Sequence, residues 1–361
     1  MKAIITGGGT AGHINPALAI AACIKKHEKD SEILFIGTER GLEKTLVPKA
    51  GYEIKYIDVQ GIARSLSPEN IRTIKKAVKS YKMSREIIED FKPDIVIGTG
   101  GYVCGPVLLA ASKLKIPTII HEQNIPPGLV VKMLRKRVDI TAISFSETET
   151  LLKKAKRIEL TGNPVRDGIL NIKNTETERP LVLVSGGSLG AKRINDALLE
   201  VLTLQGQDYY DIYAATGTRF YDEFMEEASK RAVKFSEQKR VVPYIYDMDK
   251  ALSEASLAVT RAGAITISEL AAMGKPAIII PSPNVVHDHQ TSNARFMEKS
   301  GAAVMITEKD LSGELLAKKI KELLGDKEKL KKMSSCGKKI GITDAADKIY
   351  YFSKELIDAY K

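Results

Sequence analysis

A glycine-rich turn occurs twice in this chain, each time directly after a short apolar run. The run MKAIIT at residues 1–6 leads into GGGTAG at residues 7–12, and LVLVS at residues 181–185 leads into GGSLGA at residues 186–191. A buried parallel strand that ends in such a turn brings backbone N–H groups and a helix N-terminus close to an anion. Two such units predict two nucleotide-binding-like domains that face a shared cleft.

The remaining pattern of the chain favours the same class of fold. Its 361 residues exceed the size at which one hydrophobic core keeps growing, so two domains are expected. Apolar runs alternate with amphipathic stretches, which is typical of βα units with a parallel sheet. The predicted strands are residues 3–6, 33–36, 54–57, 95–97, 118–120, 140–142, 181–184, 212–215, 241–243, 257–260, 277–280 and 303–306. The sequence therefore predicts an α/β protein with two Rossmann-like, doubly wound parallel-sheet domains.

The junction between these domains is predicted near the sequence TGNP at residues 161–164, where a hinge would let the cleft open and close. This divides the chain into an N-terminal domain at residues 1–162 and a C-terminal domain at residues 163–340. The last helix, within residues 341–361, has no strand after it and is expected to pack back on the N-terminal domain.

Composition excludes several classes of protein. Cys23, Cys104 and Cys336 share no close spacing, which argues against a disulfide framework or a zinc site and favours a reducing cytoplasm. The first strand begins within two residues of the N-terminus, which leaves no room for a signal peptide, and no apolar run approaches the ~18 residues of a membrane span. The net charge of +10 indicates an anionic partner such as nucleic acid, acidic lipid or a phosphorylated substrate.

The first glycine turn allows two readings. Gly7, Gly9 and Gly12 satisfy G-x-G-x-x-G, and Glu39 lies where the ribose-binding acid of an NAD enzyme would sit. The second turn breaks this spacing, however, and the first continues into His13 at the mouth of the following helix. The positive end of that helix favours a neutral imidazole, which suits a general base, while a simple helix-capping role for His13 is the alternative.

A polar cluster, HEQN at residues 121–124, follows another apolar strand. Open α/β sheets bind ligands at the carboxyl ends of their strands, so this cluster is a candidate ligand site. His121 and Gln123 also suit a hydrogen-bonded loop anchor, more than Glu122 and Asn124 do. Metal binding by His121 and Glu122 is disfavoured, because neighbouring strand residues point to opposite faces and no third ligand is spaced for it.

Further candidate sites follow strands elsewhere. The glycines of residues 98–102 (GTGGY) allow a close backbone approach, and residues 260–269 read as strand, glycine turn and helix. In the latter, Thr266 and its neighbouring N–H groups can hold a phosphate, while Glu269 can accept hydrogen bonds from a ribose diol. The DMD sequence at residues 247–249 imitates a metal-binding signature, but helix capping explains it better. No metal site is predicted.

The longest basic amphipathic segment spans residues 67–90. A stripe of apolar residues runs along it, bordered by basic side chains: Ile71, Ile74, Val78 and Tyr81, with Lys75 and Lys79 among the basic ones. Such a helix could lie on an anionic membrane surface, or it could pack on the core and expose a charged face to water. Nucleic-acid binding is disfavoured, because neither an aromatic-bearing sheet nor a recognition-helix motif accompanies the charge.

Seven motifs in one order closely resemble the MurG family. They are GGTAGH at 8–13, GTGGY at 98–102, HEQN at 121–124, GNPVR at 162–166, GGSLGA at 186–191, RAGAITISE at 261–269 and HQTSNA at 289–294. This family comprises the bacterial transferases that add N-acetylglucosamine to lipid I to make lipid II, the precursor of peptidoglycan. The order of seven motifs is far more specific than any one of them.

The resemblance implies the GT-B fold and an inverting transfer from UDP-N-acetylglucosamine to the 4-hydroxyl of the muramyl sugar of lipid I. The N-terminal domain would bind this acceptor and the membrane, and the C-terminal domain would hold the nucleotide. No cofactor is required, and the departing diphosphate would be stabilised by a helix N-terminus and Arg166. The protein would be peripheral, on an anionic membrane surface at the cytoplasmic face of the bacterial cell membrane, either as a monomer or as a weak dimer.

The resemblance also implies site residues. His13 is the first choice for the catalytic base, and Glu122 would assist or replace it. The acceptor-side loop would comprise Gly100, Gly101 and Tyr102. Donor-binding residues would be Thr10, Ala11, Gly12, Asn124, Arg166, Ser188, Ile245, Ala264, Ile265, Thr266, Ile267, Ser268, Glu269 and Gln290. A UDP-sugar epimerase or hydrolase, a membrane-bound UDP-sugar scaffold without turnover, and a dehydrogenase are the rival functions.

Overall fold

The chain forms two compact units, which are described separately. The computed structural model describes residues 1–59, 69–187, 189–204, 209–285 and 288–361, and over residues 69–75 it describes the backbone alone. The first unit comprises Met1–Val165 together with Thr343–Lys361, and the second comprises Arg166–Ile342. The first unit therefore includes the last helix of the chain.

The first unit is built on a parallel sheet. Its strands are β1 (Lys2–Thr6), β2 (Glu32–Gly37), β3 (Glu53–Tyr56), β4 (Ile95–Gly98), β5 (Thr118–Glu122), β6 (Ile140–Ile143) and β7 (Ile158–Leu160), in the order β3-β2-β1-β4-β5-β6-β7. The intervening helices are α1 (Ala11–His27), α2 (Glu43–Lys49), α3 (Glu69–Phe91), α4 (Cys104–Lys113) and α5 (Leu129–Leu134), with a 3-10 helix at Ser146–Leu151.

The second unit has the same plan. Its strands are β8 (Leu181–Ser185), β9 (Asp211–Ala215), β10 (Lys239–Val242), β11 (Leu257–Thr260), β12 (Ala277–Ile279) and β13 (Ala303–Met305), in the order β10-β9-β8-β11-β12-β13. Its helices are α6 (Asp167–Asn171), α7 (Lys192–Thr203), α8 (Tyr221–Lys230), α9 (Met248–Glu254), α10 (Ala264–Met273), α11 (His289–Lys299), α12 (Gly313–Leu324) and α13 (Lys327–Ile340). The chain then returns to the first unit as α14 (Ala345–Tyr360).

The predicted fold class is confirmed, and every predicted strand is present within two residues of its predicted bounds. The central strands are apolar along their whole length because helices cover both faces of a parallel sheet; β4 and β11 are buried at every residue. The sequence prediction missed β7. Its sequence, IEL, contains no apolar run, and its residues are only partly buried or exposed.

In each unit the winding of the sheet reverses beside its first strand. β1 pairs with β2 on one side and β4 on the other, and β8 lies in the same way between β9 and β11. The loops that leave the carboxyl ends of the two central strands therefore diverge. Such a reversal point opens a crevice at the carboxyl edge of the sheet, which is where open α/β sheets bind ligands.

The basic helix is only partly as predicted. Within α3, Val78 is 52% exposed and Lys79 is exposed, whereas Tyr81 packs against the apolar core of the first unit. The predicted stripe that joined Val78 to Tyr81 is therefore wrong: the side of the helix that faces the core carries Tyr81 together with the buried polar residues Ser80 and Ser84, and Val78 lies outside it. Ile71, Ile74 and Lys75 lie where only the backbone is described. Among the described residues, no helix combines the length and apolar character that crossing a membrane requires.

The last helix, α14, packs against α1 within the first unit. Ile349 and Ile357 share the apolar core with α1, and the His27 ring stacks on Tyr350 at 4.3 Å between centroids. At the end of α1, the Glu28 carboxylate accepts a hydrogen bond from the amino group of Met1 at 2.8 Å and forms an ion pair with Lys354 at 3.0 Å. The hydrogen bond from the Met1 amine, with the Lys354 and Tyr350 contacts, lowers the pKa of Glu28 to about 2.

We expect Glu28→Gln to lower the free energy of unfolding at pH 7 by about 1–3 kcal/mol, because hydrogen bonds to charged groups contribute about that much. The folded-state pKa lies below the ordinary value of 4.5, so the stabilisation is present above that pH and is lost as the pH falls toward 2. Denaturant unfolding at several pH values would measure this. The control is Glu32→Gln, whose carboxylate pairs with Lys2 but is 61% exposed and should change stability by less than about 0.5 kcal/mol. An equal loss in both variants would contradict the prediction.

Candidate functional site

In the first unit, the candidate site is built on the glycine loop between β1 and α1. The amide of Gly8 donates to the carbonyl of Gly100 at 3.3 Å, which ties this loop to the loop after β4. The Thr99 hydroxyl donates to the carbonyl of His13 at 2.8 Å. The two loops that flank the winding reversal are thus fastened to each other, and His13 is held in the first turn of α1.

A chain of hydrogen bonds determines which nitrogen of His13 carries its proton. The Nε2 amide group of Gln123 lies 2.6 Å from the Thr99 carbonyl, which can only accept, so the amide oxygen Oε1 must be the atom that faces His13 at 3.1 Å. This oxygen can only accept from Nδ1–H of His13. In the neutral ring, Nε2 is then the basic nitrogen.

His121 extends this chain in the interior. Its Nδ1 accepts from Gln123 Nε2 at 2.8 Å, and its Nε2 donates to the Gly162 carbonyl at 2.9 Å. Burial lowers the pKa of His121 to about 4, so this ring is neutral at pH 7. His121 and Gln123 therefore act as the loop anchors that the sequence allowed, and they orient His13.

Glu122 lies on the other face of β5, away from this chain. Its carboxylate accepts hydrogen bonds from the amides of Asn124 at 2.9 Å and Gly128 at 2.6 Å. Burial raises its pKa, and these backbone hydrogen bonds oppose the rise. The contacts hold the loop after β5 in place. The structure brings His13 together with Gln123, while Glu122 as a second base stays a prediction.

Gly100 makes the close approach to His13 possible. Its φ is +110°, and a Cβ at this position would lie 2.5 Å from His13 Nδ1. A side chain would therefore be strained by the backbone angle and would also displace the imidazole. Two residues further on, the Tyr102 side chain is 49% exposed, so it is available to an incoming molecule at the rim of the loop.

In the second unit, the corresponding loops precede α7 and α10. Residues 186–191 lead into α7, and residues 261–263 lead into α10, whose first turn begins at Ala264. Both helix N-termini therefore lie at the carboxyl edge of the sheet, where their N–H groups favour an anion. Ser188, predicted to bind the diphosphate, lies outside the described residues.

Two predicted donor-site residues meet in this unit. Arg166 Nε donates to Glu269 Oε1 at 2.8 Å, and its Nη1 lies 3.0 Å from Asp249. Glu269 is buried, which raises its pKa, and the contact with Arg166 opposes that rise. Asp249 belongs to the DMD sequence that was interpreted as a helix cap. α9 does begin in this sequence, at Met248, but the side chain of Asp247 makes no capping hydrogen bond. Asp249 forms the ion pair with Arg166 instead.

Further predicted donor residues of the second unit follow β10 or lie in α10 and α11. Ile245 is only 2% exposed and lies in the chain between Tyr244 and Tyr246, whose rings are exposed. Only its backbone is therefore available to contact the uracil of a nucleotide. The side chain of Ile267 is fully buried, and it too could contribute only backbone atoms. Gln290 Oε1 accepts from the amide of Ser282 at 2.8 Å, which orients its amide group. A cavity of about 380 Å³ opens beside α11, and its lining includes Arg193, Thr291 and Glu308.

Sequence reasoning missed one buried acid at the site. Glu43, the first residue of α2, is completely buried and accepts a hydrogen bond from the amide of Gly9 at 2.9 Å. Its only sequence signal is an acidic residue that follows glycines at positions 37 and 41.

One group of metal-ligating residue types lies elsewhere in the described part of the chain. Cys23, His27 and Asp347 bring their ligand atoms within 4.8 Å of one another at the packing of α1 on α14. His27 and Asp347 already form an ion pair at 2.7 Å. His27 follows His13 by 14 residues on α1, and 14 residues of helix span about 21 Å. This group is therefore far from His13 and belongs to the packing of the two helices.

Comparisons with known proteins match both units. The model of the glycosyltransferase family 28 N-terminal domain matches residues 3–143, and that of the family 28 C-terminal domain matches residues 181–349. A UDP-N-acetylglucosamine–N-acetylmuramyl-(pentapeptide) pyrophosphoryl-undecaprenol N-acetylglucosamine transferase of Acetivibrio thermocellus is 50% identical, over 99% of this chain and 98% of its own length.

Solved structures agree. The crystal structure of MurG from Acinetobacter baumannii superposes with a TM-score of 0.81 at 29% identity, over 98% of this chain and 99% of that one. A UDP-GlcNAc 2-epimerase from Neisseria meningitidis, solved with UDP-GlcNAc bound, gives a TM-score of 0.68 at 15% identity over 98% and 99% of the two chains. The second likeness concerns the fold alone.

We expect Gly100→Ala to lower the free energy of unfolding by about 1–3 kcal/mol, the usual range for strain at such a backbone angle plus a displaced neighbour. The matched control is Gly105→Ala in α4, where a Cβ meets no atom within 4 Å and alanine favours the helix. Denaturant unfolding of both variants measures the difference. The prediction is wrong if Gly100→Ala is as stable as the control.

Proposed function

This chain belongs to glycosyltransferase family 28, and we infer that it transfers N-acetylglucosamine from UDP-N-acetylglucosamine to the muramyl sugar of lipid I in peptidoglycan synthesis. The observation that carries this inference is His13, oriented by Gln123 at 3.1 Å at the winding reversal of the first sheet. A transferase needs a base for its acceptor hydroxyl at such a point. The full-length similarity to relatives named for this transfer supplies the substrates.

In the proposed reaction, His13 removes the proton from the 4-hydroxyl of the muramyl sugar. The hydrogen bond from Nδ1–H to Gln123 leaves the basic lone pair on Nε2, and it also stabilises the imidazolium that forms as the proton is taken up. The hydroxyl oxygen attacks the anomeric carbon of N-acetylglucosamine as the bond to the diphosphate breaks. A single displacement of this kind inverts the anomeric configuration.

The reaction also requires stabilisation of the departing UDP, and we assign this role to the second unit. The N-termini of α7 and α10 place partial positive charge at the carboxyl edge of the sheet, and Arg166 adds a full charge. In the structure, Arg166 is paired with Glu269 and Asp249. We assign Glu269 to the ribose diol and Arg166 to the diphosphate, so nucleotide binding would turn Arg166 from the carboxylates toward the phosphates. With this charge available, the proposed reaction uses no cofactor.

The proposal is tested with labelled UDP-N-acetylglucosamine and a short-chain lipid I analogue. We expect transfer by the wild-type chain at a rate that a chelator changes by less than about twofold, and a loss of kcat of about 10²–10⁴-fold in His13→Ala. The matched control is His27→Ala at the other end of α1, with kcat unchanged. In the same assay, Arg166→Ala and Glu269→Gln should raise the KM for the donor.

Two of the rival functions, and the alternative base, have their own outcomes in this experiment. Release of free N-acetylglucosamine or of an epimer without transfer would indicate the hydrolase or epimerase, and donor binding without turnover would indicate the scaffold. If His13→Ala kept its activity while Glu122→Gln lost it, the base would be Glu122.

We also propose that the first unit attaches peripherally to an anionic membrane at the cytoplasmic face. Support comes from the exposed Val78 beside Lys79 on α3 and from the net charge of +10. A lipid-linked acceptor requires a protein that reaches the bilayer surface.

Sedimentation with vesicles tests this attachment. We expect binding to phosphatidylglycerol-containing vesicles and little binding to phosphatidylcholine alone, with at least a fivefold weakening in Lys79→Glu, since a basic residue near the surface contributes about 1 kcal/mol. Lys113→Glu makes the same charge change on the exposed side of α4 and should bind as the wild type does. Equal binding to both vesicle types would count against the proposal.

A further inference from the structure

A buried carboxylate lies beneath the first glycine loop, and the proposed reaction does not use it. Glu43 follows β2 and is 0% exposed. Its Oε2 accepts from the amide of Gly9 at 2.9 Å, while Oε1 accepts from the amide of Thr38 at 2.9 Å and from the Thr38 hydroxyl at 2.6 Å. Both oxygens are thus hydrogen-bonded, one to the glycine loop and one to the loop after β2.

The surrounding glycines fit this carboxylate closely. A Cβ at Gly8 would lie 2.5 Å from Glu43 Oε1, and a Cβ at Gly41 would lie 2.0 Å from Oε2. Neither glycine is required there by a left-handed backbone angle, so space for the carboxylate is the reason for their size. A buried carboxylate is costly unless it is hydrogen-bonded, and here three donors compensate for that cost.

The second unit offers an internal comparison, because its loops after β8 and β9 correspond to these two loops. There the two loops touch directly through their backbones. A Cβ at Gly217 would lie 2.5 Å from the Cα of Gly190, and a Cβ at Gly190 would lie 2.1 Å from the Thr216 carbonyl oxygen. As far as the second unit's loop is described, these contacts are between backbone atoms, whereas in the first unit the Glu43 side chain joins the two loops. Of the two glycine loops, the one that leads to His13 is thus the one held by a carboxylate.

We propose that Glu43 is a positioning residue for the transfer reaction. Its carboxylate holds the peptide N–H of Gly9, two residues before α1 begins at Ala11, and so fixes the direction in which the helix presents its first turn. Glu43 holds one side of the loop, and the contacts of Thr99 and Gln123 hold His13 from the other side. This inference rests on the proposed role of His13 as the base.

Three variants separate positioning from charge. Glu43→Gln keeps the shape, but if its amide oxygen stays with Thr38, its NH₂ group opposes the Gly9 amide, donor against donor. Glu43→Asp keeps the charge, but its carboxylate is about 1.5 Å short of Gly9. We expect kcat to fall about 10–100-fold in both, because a misplaced base loses that much, while the KM for UDP-N-acetylglucosamine changes less than about threefold. Glu53→Gln, an exposed residue of β3, is the matched control and should match the wild type.

Hydrogen–deuterium exchange provides a readout that does not depend on turnover. Uptake in the peptide that covers residues 7–13 should rise in Glu43→Gln and stay unchanged in Glu53→Gln, while residues 186–191 exchange equally in all three proteins. Binding of UDP to the second unit checks that each variant is folded.

The outcomes are distinct. An unchanged kcat in Glu43→Gln, or a fall in kcat accompanied by an equal loss of UDP binding and general unfolding, overturns the positioning role. A Glu43→Asp variant with wild-type kcat also overturns it, in favour of charge alone. If the wild-type chain transfers nothing, the proposed function fails, and the exchange experiment still decides whether Glu43 holds the loop.

Discussion

The reversal of winding beside the first strand of each sheet is the constraint on which the site depends. β1 pairs in parallel with β2 along its whole length and with β4 from Ala3 to Thr6, and β8 is paired in the same way in the second unit. Parallel pairing brings the ends of neighbouring strands to one edge, and opposite winding carries their loops apart. The glycine loops, the first turns of α1, α7 and α10, and the polar cluster after β5 all lie at such an edge.

Within the first unit, the orientation of the Gln123 side-chain amide determines where two histidines carry their protons. The Thr99 carbonyl can only accept a hydrogen bond, so it determines which end of Gln123 is the donor, and the amide then determines the proton positions on His13 and His121. A buried polar network is costly if any member is unsatisfied, which makes such an arrangement rigid. The protonation pattern of a residue in the first turn of α1 thus depends on residues about 90 to 110 positions later in the chain.

The two units show how a repeated architecture acquires different chemistry. Each has a glycine loop after its first strand and the same order of neighbouring strands. In the first unit, that loop rests on the Glu43 carboxylate and leads to a histidine. In the second, the loop is packed on backbone, and Arg166 brings a cation to the neighbouring helix through Glu269. In the proposed reaction, the base for the hydroxyl and the cation for the diphosphate are therefore divided between the two units.

The sequence by itself determined the strands, the glycine turns and the position of His13, because these follow from local periodicity and from backbone angles that few residues adopt. Its ordered motifs also identified the family. Only the tertiary structure decided that Tyr81 faces the core while Val78 does not, that Asp249 pairs with Arg166, and that Glu43 supports the glycine loop. Glu43 and Gly9 are 34 positions apart in the chain, and Asp249 and Arg166 are 83 apart. A local sequence pattern carries no information about which distant group a charged side chain will meet. The strand order, through parallel pairing and the reversal of winding, determines those neighbours.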